Sequence, residues 1–105
     1  MTSHTLPDAA SFLSSKIEVP QHVVYRSFPS ETVMLNLNTG RYHGLNPTAG
    51  HMLAALERSG SVAAATAAVA EQHGLPSATV ERDLLALCAA LLDRGLIELR
   101  GHDAA

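Results

Sequence analysis

Six histidines and a single cysteine are the residues of this 105-residue chain whose chemistry first suggests a metal site or a nucleophile. A zinc site needs several such ligands at close spacing, yet no His-x-x-x-His or Cys-x-x-Cys motif occurs. Cys88 lies among apolar residues at helical spacing, which is typical of a small buried hydrophobe rather than a reactive thiolate. We therefore predict neither a metal site nor a catalytic cysteine. The histidines, which we expect at the surface, are His4, His22, His43, His51, His73 and His102.

The other common catalytic patterns are missing from the sequence as well. Glu81, Asp83 and Asp93 each stand close to an arginine on one helical segment, where they are typical solvated charges rather than an acid-base pair. The seven glycines are scattered, and neither the phosphate-binding G-x-x-x-x-G-K motif nor the dinucleotide-binding G-x-G-x-x-G motif is present. The sequence thus predicts a protein that is not an enzyme and holds no cofactor.

The charge balance and the hydropathy narrow the classes of partner. Seven Lys and Arg against ten Asp and Glu give a net charge of -3, which leaves too little positive charge to neutralise many phosphates. No apolar run approaches the roughly 18 residues that a membrane span requires, and the first residues lack the pattern of a signal peptide. A single cysteine cannot form an internal disulfide. We predict a cytoplasmic protein without nucleic-acid or membrane partners.

Three short strands are predicted in the first half of the chain. Alternating residues 23–28 indicate the first strand, the β-rich run 32–37 the second, and Arg41–Leu45 the third. Proline and serine at positions 29 and 30 suit the first turn. The second turn ends at Gly40, where a positive φ would be needed. Short connections of this kind predict an antiparallel meander.

Three helices are predicted in the second half. Asn46 can cap the first helix and Pro47 suits its first turn, and the helical spacing continues until Gly60. An alanine-rich second helix follows and ends at Gly74. The third and longest helix ends at Gly95. Its apolar stripe is formed by Val80, Leu84, Leu87, Cys88 and Leu91.

This order of elements predicts an α+β fold, a winged helix-turn-helix with a three-stranded antiparallel sheet followed by three helices. We expect a flexible arm over residues 1–15, one domain over residues 16–100, and a tail over residues 101–105. The short run 96–99 either returns against the sheet or ends the last helix.

The winged helix raises DNA binding as a possible function, which the charges of the last helix oppose. Between Val80 and Gly95 there are three acidic and two basic residues, and no Asn, Gln, Ser or Thr that could hydrogen-bond to base edges. Such a helix would gain little in a groove lined by phosphates.

The third strand is the better candidate for a binding surface. In a meander it lies at an edge of the sheet, it contains no proline or lysine, and Gly44 leaves room beside the backbone. With a flank of the last helix that carries Asp83, Ala86 and Leu87, this edge could hold an extended peptide as an added strand. We then expect His43→Pro to weaken peptide binding more than folding, since it removes an edge donor. The alternative is that Leu87 is an ordinary core residue and the alanines are simply helix formers.

Two stretches of the chain carry a family resemblance. They are MLNLNTGRYHGLNPTAGHMLAAL, residues 34–56, and VERDLLALCAALLDRGLIEL, residues 80–99. Together they resemble the PqqD-like family of RiPP recognition elements, and within it the stand-alone leader-peptide-binding proteins of lasso-peptide biosynthesis. The resemblance covers roughly residues 17–99. PqqD proper usually has a Tyr-Pro-Glu-Gly type hairpin where this chain has residues 37–40 as Leu-Asn-Thr-Gly, which favours the lasso-peptide branch.

The resemblance implies a winged-helix protein that binds the leader segment of a ribosomally made precursor peptide as an added antiparallel strand. It implies no catalysis and no cofactor. The partners it implies are the precursor leader, a separate cysteine protease that removes the leader, and an ATP-dependent cyclase that closes the macrolactam ring. The positions that it assigns to peptide binding are Arg41, Tyr42, His43, Gly44 and Leu45 on the strand, and Val80, Asp83, Leu84 and Leu87 on the helix.

Two alternatives stay open at this stage. The same binding mode could serve another RiPP pathway or a quinone-cofactor pathway, which the enzymes encoded nearby would distinguish. The chain could also be a winged-helix DNA-binding or structural module, against which its charge already argues.

Overall fold

The computed structural model describes residues 9–100 of the chain, with side chains from Phe12 onward. The elements, in chain order, are α1 (Ala9–Ser14), β1 (Lys16–Glu18), β2 (Val23–Ser27), β3 (Thr32–Asn36), β4 (Arg41–Leu45), α2 (Pro47–Arg58), α3 (Val62–His73), α4 (Ser77–Asp93) and β5 (Glu98–Arg100). The predicted α+β winged helix-turn-helix, three antiparallel strands followed by three helices, is confirmed by β2 to β4 and α2 to α4.

The three-stranded sheet has the order β2-β3-β4, with both neighbours antiparallel. A two-residue turn joins β2 to β3, and Phe28 and Glu31 exchange both main-chain hydrogen bonds across it. The turn from β3 to β4 ends at Gly40, whose φ of 74° lies in the left-handed region that glycine adopts without strain. The meander therefore follows from local turn chemistry, as the sequence predicts.

Local caps also set the ends of the helices. The Asn46 side chain accepts a hydrogen bond from the Ala49 N–H at the start of α2 (2.8 Å), and the Ser61 hydroxyl accepts one from the Ala64 N–H at the start of α3 (3.0 Å). Helix α3 ends at Gly74, which has a φ of 64°. These caps define the start of α2 and both ends of α3.

One continuous core lies between the helices and one face of the sheet. Burying an aliphatic side chain of this size contributes about 1.5–3 kcal/mol, so the core supplies most of the stability and holds β3 firmly against α2. The large side chains that are completely buried are Ile17, Met34, Leu53, Leu56, Leu84, Leu91, Val62, Val69 and Val80, together with Cys88.

Two features differ from the sequence-based expectation at the ends of the domain. Within the expected flexible arm, Ala9–Ser14 forms a helix, Phe12 is only 3% exposed, and the Val62 N–H donates to the Ser15 carbonyl (2.9 Å). A buried aromatic holds this segment on α3, so the domain extends further toward the N-terminus than expected. Residues 1–8 of the arm and the tail 101–105 lie outside the described residues.

The run after α4 neither joins the three-stranded sheet nor merely ends the helix. It forms β5, which pairs antiparallel with β1 in a separate two-stranded sheet. This pairing joins positions about 80 residues apart in the chain, for example Ile17 with Leu99. With three residues each, β1 and β5 are too short for their sequence pattern to predict this pairing.

The strands are also tied to the end of α2 by polar contacts. The Lys16 ammonium donates to the Glu57 and Ser59 carbonyls at the end of α2 (2.8 and 3.1 Å), where a cation also suits the helix dipole. The Tyr25 hydroxyl donates to the Glu57 carboxylate. Burial raises the pKa of Tyr25 to about 12, and the bond to Glu57 contributes to the rise. These bonds fix the sheet relative to the helices.

Candidate functional site

The main-chain groups of β4 divide between its neighbour and the open edge of the sheet. Hydrogen-bonded and non-hydrogen-bonded pairs alternate along an antiparallel ladder. Starting from the bonded pair Phe28 and Glu31, every second residue of β3 bonds to β2, and the residues between them bond to β4. Met34 is one of the residues between, so it bonds to its partner His43.

It follows that Tyr42 and Gly44 point their N–H and C=O groups away from the sheet. No described strand pairs with β4 on that side. The expectation that His43 presents an edge donor is therefore wrong, because its N–H faces β3, and Tyr42 and Gly44 carry the free donors instead. Two donors and two acceptors at this spacing form a template for one further antiparallel strand.

The opposite edge of the sheet, β2, is less available. The Val23 N–H, which faces outward by the same alternation, is bonded to the Pro20 carbonyl (3.0 Å). Tyr25, the next outward-facing residue, has its side chain bound to Glu57 under the sheet. Of the two edges, β4 is the one with free main-chain groups beside an open cleft.

Side chains of β4 also alternate between the two faces of the sheet. His43 lies opposite the completely buried Met34, and Arg41 opposite the buried Asn36, so both point to the face that the helices cover. Leu45 shares that face and is itself buried. Tyr42 and Gly44 belong to the outer face, where Tyr42 is 72% exposed.

A cleft of about 240 Å³ lies beside the first half of β4. It is small compared with typical small-molecule pockets of about 300–1,000 Å³, and its size suits one or two side chains. The residues that line it are Asn36, Thr39, Arg41, Tyr42, His43, Arg94 and Leu96. Three of the five predicted strand residues, Arg41, Tyr42 and His43, thus line the cleft together with the segment that follows α4.

The cleft is electropositive. Arg41, His43 and Arg94 line it, and no carboxylate of residues 12–100 does. Burial lowers the pKa of the His43 imidazole below 6.5, and the Arg94 guanidinium lowers it further. Within residues 9–100 the two ion pairs are Arg82 with Asp83 and Arg100 with Glu18, so neither cleft arginine has an acidic partner.

The predicted helix residues lie elsewhere. Val80 and Leu84 are completely buried in the core, so their side chains offer no accessible surface. Asp83 is exposed, and its Oδ1 atom lies 3.7 Å from Arg82 Nε. Leu87 is partly buried against the core. None of the four lines the cleft beside β4, and their role in peptide binding stays a prediction.

The outer face of the sheet is the second unusual surface. Apolar side chains of all three strands form a shallow depression of about 450 Å³ there. Phe28 is 50% exposed and Val24 48%, although burial of such side chains is the norm. Tyr42 lines both this depression and the cleft. The outer face and the β4 edge are therefore one continuous surface.

Other reactive groups form no site within the part of the chain that the structure describes. Cys88 is completely buried, and burial raises the pKa of its thiol to about 12. His51 and His73 stack with ring centroids 5.7 Å apart, but no group of three or more potential ligands is close enough to hold a metal ion. None of the described helices is long and apolar enough to cross a membrane.

Most of the folded chain matches the model of a known protein family. A family model described as Coenzyme PQQ synthesis protein D (PqqD) matches residues 31–97, which include β3, β4 and the helices α2 to α4. The chain belongs to the PqqD family. As a PqqD-like protein it has the fold of a RiPP recognition element, as the resemblance in the sequence implied. No curated protein sequence matches the chain significantly.

Two solved structures are similar to this PqqD-like protein. TbiB1 in complex with the TbiA(beta) leader peptide is 30% identical with a TM-score of 0.70, over 77% of this chain and 94% of TbiB1. A lasso peptide synthetase B1 complexed with the leader peptide is 22% identical with a TM-score of 0.71, over 79% of this chain and 98% of the synthetase chain. The first supports the family, and the second shows the shared fold.

The sequence reasoning missed the residues of the cleft that come from outside β4. Arg94 and Leu96 were part of the helix-ending segment that carried the resemblance, yet nothing in their spacing assigned them to a binding site. Asn36 and Thr39 lie in the hairpin before β4. A signal was available only for Arg94, as a basic residue just before Gly95 in the turn that ends α4.

Proposed function

We propose that this protein is a non-catalytic recognition protein of lasso-peptide biosynthesis. It binds the leader segment of a precursor peptide as an antiparallel strand on β4 and presents it to the enzymes of maturation in the cytoplasm. The observation that carries the proposal is the open edge of β4, where Tyr42 and Gly44 present free main-chain groups beside a cleft. The family, and a relative solved with a leader peptide, support it.

The energetics require side-chain anchors as well as main-chain bonds. Ordering a flexible peptide costs about 1–2 kcal/mol per residue, whereas each hydrogen bond at the edge contributes about 0.5–1.5 kcal/mol net. The four outward groups of Tyr42 and Gly44 therefore roughly offset the ordering of two to four residues. Micromolar affinity corresponds to about 8 kcal/mol, so side-chain contacts in the cleft beside β4 must supply most of it.

The residues assigned by resemblance divide into two groups under this proposal. Arg41, Tyr42, His43 and Gly44 contact the peptide directly. Leu45, Val80 and Leu84, which are buried, support the strand and the helix from within. Asp83 and the exposed part of Leu87 contact the peptide only where it continues beyond the cleft.

The enzyme partners in this proposal are those that the family resemblance implies. The leader-cleaving cysteine protease and the ATP-dependent cyclase are the enzymes that would receive the peptide. We assign the outer apolar face to the protease, because Tyr42 joins that face to the β4 edge. A protein seated there would contact both the sheet and the bound leader.

A PqqD-type role in a quinone-cofactor pathway is the second candidate, since the matching family model carries that description. It uses the same edge with a different peptide. DNA binding, the third possibility, finds no support in the charges of α4.

Isothermal titration calorimetry tests the proposal. The titrants are the synthetic leader of the precursor encoded beside the gene and, as a control, a 20-base-pair duplex DNA. We expect saturable 1:1 binding of the leader with Kd in the micromolar range or below, and no heat from DNA. Binding of DNA alone would contradict the proposal.

A further inference from the structure

The positive charge of the cleft beside β4 is not balanced by an acidic side chain of residues 12–100. The whole chain carries a net charge of -3, yet Arg41, His43 and Arg94 line about 240 Å³ of space, and no carboxylate of residues 12–100 lines it with them. Clustered cations repel one another, and an arrangement of this kind costs stability unless something of opposite charge shares the site.

Strand geometry defines which residue of a bound peptide would enter this cleft. An added antiparallel strand forms hydrogen-bonded pairs with Tyr42 and Gly44, and a non-hydrogen-bonded pair opposite His43 between them. In such a pair the two Cα atoms are about 4.5 Å apart and the side chains lie on the same face. The peptide residue opposite His43 therefore points into the cleft, toward Arg94.

We propose that the cleft selects a peptide with an aspartate or glutamate at the position opposite His43, and that Arg94 and Arg41 are the residues that bind its carboxylate. This inference rests on the proposed function, because it assigns a specificity to the strand-binding edge. A carboxylate suits the site since guanidinium groups can bind its two oxygens at once.

A nucleic-acid phosphate is a poorer occupant. Phosphate binding of useful strength relies on several contacts along a backbone, whereas Arg41 and Arg94 are the arginines among the described residues that line this cleft. Arg26 lies on the outer face, and Arg82 is already paired with Asp83. The cleft is isolated and small, which favours a single acidic side chain.

Selection from a library of random ten-residue peptides displayed on messenger RNA tests the inference without knowledge of the natural leader. The full-length wild-type protein, Arg94→Glu and Arg26→Glu are used as baits. Arg26→Glu is the matched control, since it makes the same charge change at an exposed arginine outside the cleft. Individual enriched peptides are then synthesised with Glu, Gln or Lys at the selected position, and the Kd of each peptide for each bait is measured.

With the wild type and Arg26→Glu we expect enrichment of acidic residues at one position, and a loss of about tenfold in affinity when that Glu becomes Gln. With Arg94→Glu we expect the preference to vanish or to shift to Lys. Peptides that bind without an acidic preference, or an unchanged preference in Arg94→Glu, would overturn the inference but leave the proposed function intact. If no peptide is enriched on the wild-type protein, both the inference and the proposed function fall.

Discussion

At the scale of single residues, the face of the sheet to which each β4 side chain points decides what that side chain can contact. Arg41 and His43 point under the sheet into the cleft, whereas Tyr42 points outward and joins the edge to the apolar face. Among residues 12–100, Cys88 and the histidines other than His43 do not line this surface. The β4 residues that we propose to bind the peptide are therefore ordinary strand residues, and the face or edge to which each one points decides its role.

The pH response of His43 is the first prediction at this scale. Burial and the Arg94 guanidinium lower its pKa below 6.5 in the folded protein. The unfolded chain then binds more protons than the folded one just below pH 6.5, so this group's contribution to the free energy of unfolding is present above pH 6.5 and is lost as the pH falls.

Proton NMR of the His43 ring measures this directly. We expect its midpoint below 6.5 in the wild type and closer to 6.5 in Arg94→Gln, with burial keeping part of the depression. Arg82→Gln, remote from the ring, serves as the control. A midpoint at or above 6.5 in the wild type would contradict the placement of His43 beside Arg94.

At the scale of elements, the open edge of β4 is held in place from its other side. Helix α2 approaches β3 so closely at Gly50 that a Cβ there would overlap the Thr32 hydroxyl. Thr32 pairs with Leu45 at the end of β4. A shift of α2 would therefore be passed to β4, the strand on which we propose that the peptide binds.

Gly50→Ala tests this close approach. We expect it to lower the free energy of unfolding by about 1–3 kcal/mol, the usual cost of forcing extra volume into a packed interface. Gly60→Ala is the matched control, since a Cβ at Gly60 meets nothing within 4 Å. Guanidinium denaturation followed by circular dichroism measures both, and equal stabilities would show that α2 and β3 are not in contact at Gly50.

Tyr42→Pro tests the edge itself. It removes one outward N–H that takes no part in the sheet, so we expect near-normal folding. We expect its affinity for the leader to be at least tenfold lower than that of Tyr42→Ala, which loses the same side chain but keeps the N–H. Calorimetry compares the two, and equal affinities would place the peptide elsewhere. His43→Pro, by contrast, would damage the pairing with β3.

The sequence predicts those elements that carry their own boundary signals. Gly40, Asn46 and Gly74 mark turns and caps within a few residues of the elements they delimit, and the structure confirms these elements. The pairing of β1 with β5 and the cleft lining at Arg94 depend on contacts between distant segments. No local pattern encodes those contacts. Nor does a local pattern show that the main-chain groups of Tyr42 face outward while those of His43 bond to β3.

At the scale of the whole molecule, the open edge, the cleft and the outer apolar face form one contiguous surface. A protein that recognises the constant leader and passes it on allows separate enzymes to act on variable core sequences. Holding the peptide and the protease together raises their effective concentration without any catalytic group. The surface thus accounts for a recognition role in physical terms.

Phe28→Ser tests the assignment of the outer face to the protease. We expect the leader to bind with unchanged affinity, while the stimulation of leader cleavage by the protease falls at least fivefold. Leu75→Ser is the matched control, because Leu75 is 42% exposed in the connection between α3 and α4. Cleavage rates at saturating leader compare the two, and equal rates would remove the assignment.

The most direct test of strand addition is amide hydrogen exchange, followed by NMR on the labelled protein with and without the leader. We expect the Tyr42 and Gly44 amides to exchange rapidly in the free protein and to become strongly protected in the complex, while the His43 amide is protected in both. Unchanged exchange at Tyr42 and Gly44 with saturating leader, or new protection at Tyr25 and Ser27 on the β2 edge, would contradict strand addition on β4.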